Sequence, residues 1–363
     1  MVVKSLNIIN FRNYESENIS FDPGLNVLTG ANASGKTNLL EAVFLSGIGK
    51  SARTNNDREM IKWDKDFLYS SLIVKKKYHT HRIEIHIDKN KSKRIVIDGM
   101  PVSKVGELMG VLNIVFFSPD ELKMIKEQPK ERRRFTDISL SQQKKAYYYT
   151  LVRYNRILDQ RNKLLKTASV SAISEMLPVW DMQLSEAGAE IIAERMNFIG
   201  KLDKFAGESH SALTSDKEEL KLIYECENIG QDRAEIKESL MKSLFSDREK
   251  DYNLKFTSAG PHRDDIKITI NGTDVRKFGS QGQQRSAALS LKLAEIKHFE
   301  RETGEKPVLL LDDVLSELDI DRQKKLIEST NNIQTILTCT EFEPALSPAH
   351  RIFTIDKGII NRN

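Results

Sequence analysis

Residues 30–37 of this 363-residue chain read Gly30-Ala31-Asn32-Ala33-Ser34-Gly35-Lys36-Thr37, a G-x-x-x-x-G-K-[ST] loop in which each residue type answers a need of polyphosphate binding. The glycines let the backbone bend so that successive N–H groups face the phosphates. A helix starting at the end of the loop adds positive potential, Lys36 reaches the β/γ-phosphates, and the Thr37 hydroxyl ligates Mg²⁺. The loop therefore predicts an ATP site with Mg²⁺, with Lys36 as a catalytic cation. A chance match in a chain of this length has odds on the order of one in a hundred. The bland alternative is a Gly-rich turn that only caps a helix.

A second constellation follows much later. Val308-Leu309-Leu310-Leu311 is a continuous apolar run ending in Asp312-Asp313. Such a run is expected of a parallel strand covered on both faces, and carboxylates at its C-terminal end sit where open α/β sheets bind ligands. Asp312 is expected to hold Mg²⁺ through water, and Asp313 to orient the attacking water.

These residues need elements to position them. Leu6–Ile9 and Leu25–Leu28 are strand-like, the second running into Gly30, and Leu39, Leu40, Val43 and Phe44 recur at helical spacing after the loop. Ser71–Val74, His81–Ile87 and Arg94–Ile97 look like antiparallel strands, with Asp98-Gly99 as a hairpin turn. From residue 116 helical patterns take over, at Ala146–Lys166, Ile173–Phe205 and Ala234–Leu244. Strand signals return after Lys255, with Ile266–Ile270 and the turn pair Asn271-Gly272. A helix over Gln283–Arg301, the acidic strand, a helix near Ile320–Thr330, and strands at Thr335–Thr338 and Ile352–Ile355 complete the pattern. The expected fold class is α/β, a P-loop lobe with a mixed sheet over 1–115 and 255–363, interrupted by a mainly helical second lobe over 116–254.

Composition narrows the function classes. No run approaches a membrane span, and the start of the chain lacks a signal-peptide core, so a cytoplasmic protein is expected. Cys226 and Cys339 match no metal spacing and are expected to be free thiols in a reducing compartment. The net charge of +4 is too small to identify a partner. Local clusters are better candidates for phosphate contact: Lys75-Lys76-Lys77, Lys89/Lys91/Lys93/Arg94 and Lys130/Arg132/Arg133/Arg134. A solvated surface run is the competing reading of each.

Phe278-Gly279-Ser280-Gln281-Gly282-Gln283-Gln284-Arg285, opening the helix before the acidic strand, resembles the ABC signature motif. That resemblance implies that Ser280, Gly282 and Gln283 contact the γ-phosphate of a nucleotide held by a second subunit, at a helix N-terminus. A Ser N-cap after a Gly turn would look the same locally. One copy of each motif then implies a homodimer with two composite ATP sites. Ser316-Glu317-Leu318-Asp319 resembles the D-loop of that superfamily. Asn10-Phe11-Arg12-Asn13 resembles the N-F-R element of SMC-like heads, which implies a place for Arg12 beside the nucleotide phosphates.

More of the chain is similar to one family in particular. Leu25–Ala42, Ser51–Thr54, Phe116–Asp120, Pro129–Asp137, Leu158–Leu165, Gly260-Pro261-His262-Arg263-Asp264-Asp265 and Ser280–Glu295, with Asn10–Asn13, resemble the RecF family of SMC-like ATPases. The resemblance implies an SMC-like head that dimerises on ATP and binds DNA, with preference for gaps and junctions of single and double strands. It implies RecR- and RecO-type partners in loading the recombinase RecA, a place in repair, replication and the SOS response, and weak DNA-stimulated ATPase activity used as a switch. Asp313 stands where many ABC ATPases have Glu, which predicts slow hydrolysis. Thr338-Cys339-Thr340 closes the strand where a switch His is common, and neither that His nor a Q-loop glutamine is assigned. The alternatives are another SMC-like DNA-processing ATPase and an ABC transporter ATPase subunit. The missing His and the insert over 116–254 disfavour the transporter. A metabolite kinase would have no use for Ser280–Arg285.

Overall fold

The computed structural model describes residues 1–167, 170–342 and 351–362. The chain divides into two compact units, Met1–Leu122 with Ala288–Asn363, and Lys123–Ala287. The first segment contributes β1 (Val2–Phe11), β2 (Tyr14–Ser20), β3 (Leu25–Thr29), α1 (Lys36–Ile48), β4 (Phe67–Lys75), β5 (Thr80–Asp88), β6 (Arg94–Ile97), β7 (Met100–Val102) and β8 (Ile114–Phe117). The second unit holds α2 (Lys123–Lys126), α3 (Pro129–Gln143), α4 (Lys145–Thr167), α5 (Val170–Thr214), β9 (Leu220–Glu225), α6 (Arg233–Ser246), α7 (Arg248–Leu254), β10 (Asp265–Ile270), β11 (Thr273–Asp274) and α8 (Val275–Phe278). The division falls inside α9 (Gln281–Thr303), after which come β12 (Val308–Asp312), α10 (Ile320–Ser329), β13 (Thr335–Cys339), β14 (Arg351–Asp356) and β15 (Ile359–Arg362).

The first unit carries two six-stranded sheets. One, ordered β2-β1-β4-β5-β6-β7, is antiparallel throughout, and its strands alternate buried and exposed residues as a sheet with one wet face requires. The other, β15-β14-β3-β13-β12-β8, is parallel except for β15 at its edge, and β12 and β13 are buried at every position. Helix α1 packs on strands of both sheets. It is therefore buried nearly all round, with only Thr37 and Asn38 outside its buried set, and not along a single stripe as its spacing predicts.

In the second unit β9, β10 and β11 form a separate antiparallel sheet beside the long helices. The strand signals after Lys255 mark this small sheet, whose strands group with the helices up to Ala287. The sequence places 255–287 with the P-loop lobe because local alternation shows that a strand forms, not which sheet it joins. β9, six residues of alternating pattern, lies in the stretch that the sequence reading gives to helices. Helix α5 runs 45 residues to Thr214, past the Phe205 end that periodicity predicts, with Pro178 inside it. Among the described residues no helix is long and apolar enough to cross a membrane.

Candidate functional site

Parallel register brings the first site together. Leu28 of β3 pairs with Thr338 of β13, and Thr338 pairs with Asp312 of β12. The loop leaving β3 and the carboxylates ending β12 thus share the C-terminal edge of one sheet, where such sheets bind ligands. Gly30 and Gly35 have φ of 150° and 120°, and Ala33 also lies at positive φ. A Cβ on Gly30 would stand 2.3 Å from the Ile355 carbonyl oxygen, so only glycine fits there.

Within the loop, Lys36 Nζ donates to the carbonyls of Gly30 at 2.7 Å and Ala31 at 2.9 Å, which aims its charge across the mouth of the loop. Thr37 Oγ1 donates to Asp312 Oδ1 at 2.9 Å. A hydroxyl and a carboxylate from sequence positions 275 apart are thereby set edge to edge, a donor pair suited to a hard cation such as Mg²⁺. Ser34 Oγ is buried without a hydrogen-bond partner among the described residues, as a group kept for a bound polar ligand would be. The residues fit a nucleotide polyphosphate with its metal ion.

Thr338 is the residue that sequence reasoning missed. Its hydroxyl donates to Asp312 Oδ1 at 2.8 Å and accepts from the Asp313 backbone N–H at 2.9 Å. Burial pushes the Asp312 carboxyl above its usual pKa, and the hydrogen bonds from Thr338 and Thr37 oppose that rise. Asp313 sits in the left-handed region at φ 52°, which turns the chain sharply after Asp312. Burial raises the neighbouring Cys339 thiol to about 11, with Lys36 acting against the rise, so this cysteine stays protonated and inert. Both cysteines are free thiols.

The Asn10–Asn13 element is the turn between β1 and β2, since Phe11 pairs with Tyr14. Arg12, at φ 53°, donates from Nε and Nη2 to both Glu41 oxygens at 2.8 Å and from Nη1 to the Glu59 carbonyl at 2.7 Å. Its guanidinium is fastened to the side of α1. Asn13 is more closely applied to the loop than sequence reasoning indicates. Its Nδ2 donates to Ser34 O at 2.9 Å, and a Cβ on Gly35 would meet that nitrogen at 2.5 Å. Asn38 links Asn13 to the exposed Arg53, whose charge opposes the rise in the Asp312 pKa.

In the second unit, Ser280 and Gln283 form a reciprocal cap at the start of α9. Gln283 N donates to Ser280 Oγ at 3.2 Å, and Ser280 N donates to Gln283 Oε1 at 3.0 Å. Ser280 is exposed, and Gly282 and Gln283 are half-buried. In the Ser316–Asp319 stretch, Asp319 caps α10 through the Arg322 N–H at 2.9 Å.

The arginine cluster over 132–134 is corrected as a candidate DNA patch. Arg132 is buried, bidentate to Asp265 at 2.6 and 2.9 Å, and donates to the carbonyls of Met124 and Glu127. Arg133 donates to the Asp264 carbonyl at 2.6 Å, and Arg134 pairs with Glu131 at 3.7 Å. Helical periodicity sends three consecutive residues to three different directions, so the run is not one surface. Lys93 is likewise held by Asp57 and the Gly49 carbonyl.

Comparison with known proteins follows the same lines. The family model described as RecF/RecN/SMC N terminal domain matches residues 2–358. The protein of Lachnoclostridium phytofermentans named DNA replication and repair protein RecF is 45% identical over 366 residues, covering all of both chains. The protein of the same name from Clostridium perfringens is 46% identical over 363 residues, 99% of each chain. A solved structure of the recombination mediator protein RecF-ATP in the RecFOR pathway superposes with a TM-score of 0.92 at 36% identity, covering 99% of this chain and 97% of that one. An Smc head bound to the C-terminal winged-helix domain of ScpA shares the fold, with a TM-score of 0.57 at 17% identity over 99% of this chain and 96% of that one. The chain belongs to the RecF/RecN/SMC N-terminal domain family and, at these identities over its whole length, to its RecF members.

Proposed function

We propose that this chain is an ATP-dependent DNA-binding protein of recombinational repair and replication, acting in the cytoplasm. The observation that carries the reading is the Thr37–Asp312 contact at 2.9 Å beneath the P-loop, which joins the phosphate-binding and metal-binding groups of an ATPase. The names of its relatives, replication and repair proteins and a mediator of the RecFOR pathway, supply the biological setting. RecR- and RecO-type mediators are the corresponding partners.

The chemistry follows from the groups at the sheet edge. The loop N–H groups and Lys36 bind the β/γ-phosphates, and Arg12, fastened to Glu41, adds positive charge beside α1. Thr37 and Asp312 would hold Mg²⁺, which when bound neutralises phosphate charge. Asp313 orients a water for attack on the γ-phosphorus and takes its proton as the bond to the β-phosphate oxygen breaks. Ser280, Gly282 and Gln283 of a second copy close over the γ-phosphate, so ATP bridges a homodimer and slow hydrolysis releases it from DNA.

Light scattering with and without ATP and a gapped duplex tests the reading. ATP should double the mass. A DNA complex should form only with ATP and weaken steeply with salt, because phosphate contacts release counterions. An unchanged mass on adding ATP would sink the proposal.

A further inference from the structure

The reciprocal cap at Ser280 has a support behind it that no sequence motif marks. Gln283 uses its whole side-chain amide. Oε1 accepts from the Ser280 N–H, and Nε2 donates to Glu218 Oε1 at 2.9 Å. The other Glu218 oxygen meets Nε2 of His210, a fully buried imidazole on α5, at 3.1 Å. Glu218 is itself fixed in place, because the next residue is clamped to the hairpin turn. Asn271 N donates to Glu219 O at 2.9 Å, and Glu219 N donates to Asn271 Oδ1 at 2.8 Å.

This chain of contacts decides which way an amide points. A carboxylate can only accept, so it selects the Gln283 rotamer that presents Nε2 to Glu218 and leaves Oε1 for Ser280. With the cap so oriented, the Ser280 oxygen is held in place by the Gln283 N–H it accepts from, and its own hydrogen is left free to donate to another group. We propose that Glu218 is a positioning residue for the Ser280 contact with the nucleotide of a second subunit, acting through the Gln283 amide. The inference rests on the composite-site reading given above and adds to it a residue 62 positions upstream of the serine (280 − 218).

The role predicts a split that a merely structural residue would not give. In Glu218→Ala the Gln283 amide loses its fixed acceptor, so the cap that holds the Ser280 oxygen in position is loosened. ATP affinity of the monomer, measured with a fluorescent ATP analogue at low protein concentration, should stay within about two-fold of wild type. The dimerisation constant at saturating ATP and Mg²⁺, from light scattering over a protein dilution series, should weaken about ten-fold or more, the scale of one charge-assisted hydrogen bond. Glu218→Gln keeps an acceptor for Gln283 Nε2 and should restore most of the dimer. Gln283→Ala should weaken the dimer at least as much as Glu218→Ala, and the double variant should be no worse than Gln283→Ala alone.

Wild-type dimerisation in Glu218→Ala, additive losses in the double variant, or a Glu218→Gln as weak as Glu218→Ala would each overturn the assignment. Loss of monomer ATP affinity together with dimerisation would do so too, by showing a folding defect. Ser280→Arg separates this failure from failure of the composite site. If Ser280→Arg abolishes the dimer and Glu218→Ala does not, only the role of Glu218 falls. If Ser280→Arg dimerises like wild type, the composite site falls with it.

Discussion

The sheet edge of the first unit and the interior of the second both gather charged and polar groups, but they treat them differently. At the edge, Thr37 and Asp313 are half-exposed, and the Lys36 ammonium spans two loop carbonyls. Inside the second unit the side chains of Arg161, Asp181 and Asp251 are 0% exposed, with Arg161 bonded to Asp181 at 2.8 Å and Asp251 at 2.6 Å. Arg195 holds Asp137, Tyr147 and the Pro261 carbonyl in the same way. The edge keeps polar capacity for a ligand, whereas the interior uses most of its capacity on the protein itself, with Nη2 of Arg161 left without a partner among the described residues. The P-loop and Gly260–Asp265, the latter the more family-specific of the two motifs, fall on opposite sides of this contrast.

Removing one charge from each region should break the comparison most visibly. Arg161→Ala leaves two buried carboxylates short of their partner and should cost about 3–5 kcal/mol of stability, the usual loss for a broken buried ion pair. Lys36→Ala should melt near wild type in the same urea titration while losing ATP binding and ATP-driven dimerisation. Equal denaturation midpoints for the two variants would remove the distinction.

That contrast also explains what the sequence makes legible. Phosphate chemistry needs consecutive backbone N–H groups, so Gly30–Thr37 is contiguous and visible, and a buried parallel strand ending in Asp312-Asp313 is nearly as visible. Two interior networks, Arg161 with Asp181 and Asp251 and Arg195 with Asp137, join residues that no local window contains, and helical spacing alone gives no sign that Arg161 points inward. The Arg132–Arg134 run misleads for the complementary reason, because adjacency in sequence is not adjacency on a helix surface. Thr338 escapes notice because its role depends on the β12–β13 register.

The next effects lie at the edge itself. Asp313→Asn keeps the shape of the site and removes the proton acceptor, so hydrolysis should fall by ~10²–10⁴-fold with ATP binding retained. The dimer formed on ATP addition should then outlive that of wild type after a chase, whereas Asp312→Asn should weaken the ATP-bound state. An Asp313→Asn variant hydrolysing at the wild-type rate would assign the base elsewhere. Thr338→Val, close to isosteric, removes one donor to Asp312 and one acceptor for the Asp313 N–H, and should cost about 1–3 kcal/mol. Its hydrolysis should drop more than its ATP affinity if the hydroxyl sets the Asp313 backbone, and both should hold at wild-type values if it does not.

The smallest effect is expected from two interior groups whose titrations oppose each other. Thr257 O can only accept, at 3.0 Å from His262 Nε2, so the neutral ring carries its proton there and Nδ1 accepts from Tyr154 OH at 2.6 Å. Burial lowers the His262 pKa to about 4, with Arg263, Arg133 and Arg195 adding to the drop and the Thr257 bond resisting it. Burial raises Asp264 to about 6, with Tyr224, Arg195 and Arg133 resisting and Glu227 adding. Between the unfolded value of about 6.5 and the folded value of about 4 the unfolded chain binds more protons at His262, so acidification through that window removes stability. Between about 6 and the unfolded value of 3.8 the folded chain binds more protons at Asp264, so the same acidification adds stability. The windows nearly coincide and the signs are opposite, so the pair should leave wild-type stability almost flat in its own contribution. Single variants expose each half. Relative to wild type, His262→Gln should gain stability, and Asp264→Asn should lose it, as pH falls from 6.5 to 4, each by an amount on the order of 2 kcal/mol. Urea titrations of the three proteins at half-unit pH steps give the two difference curves. Parallel curves for all three would mean that neither group's pKa differs between the folded and the unfolded chain.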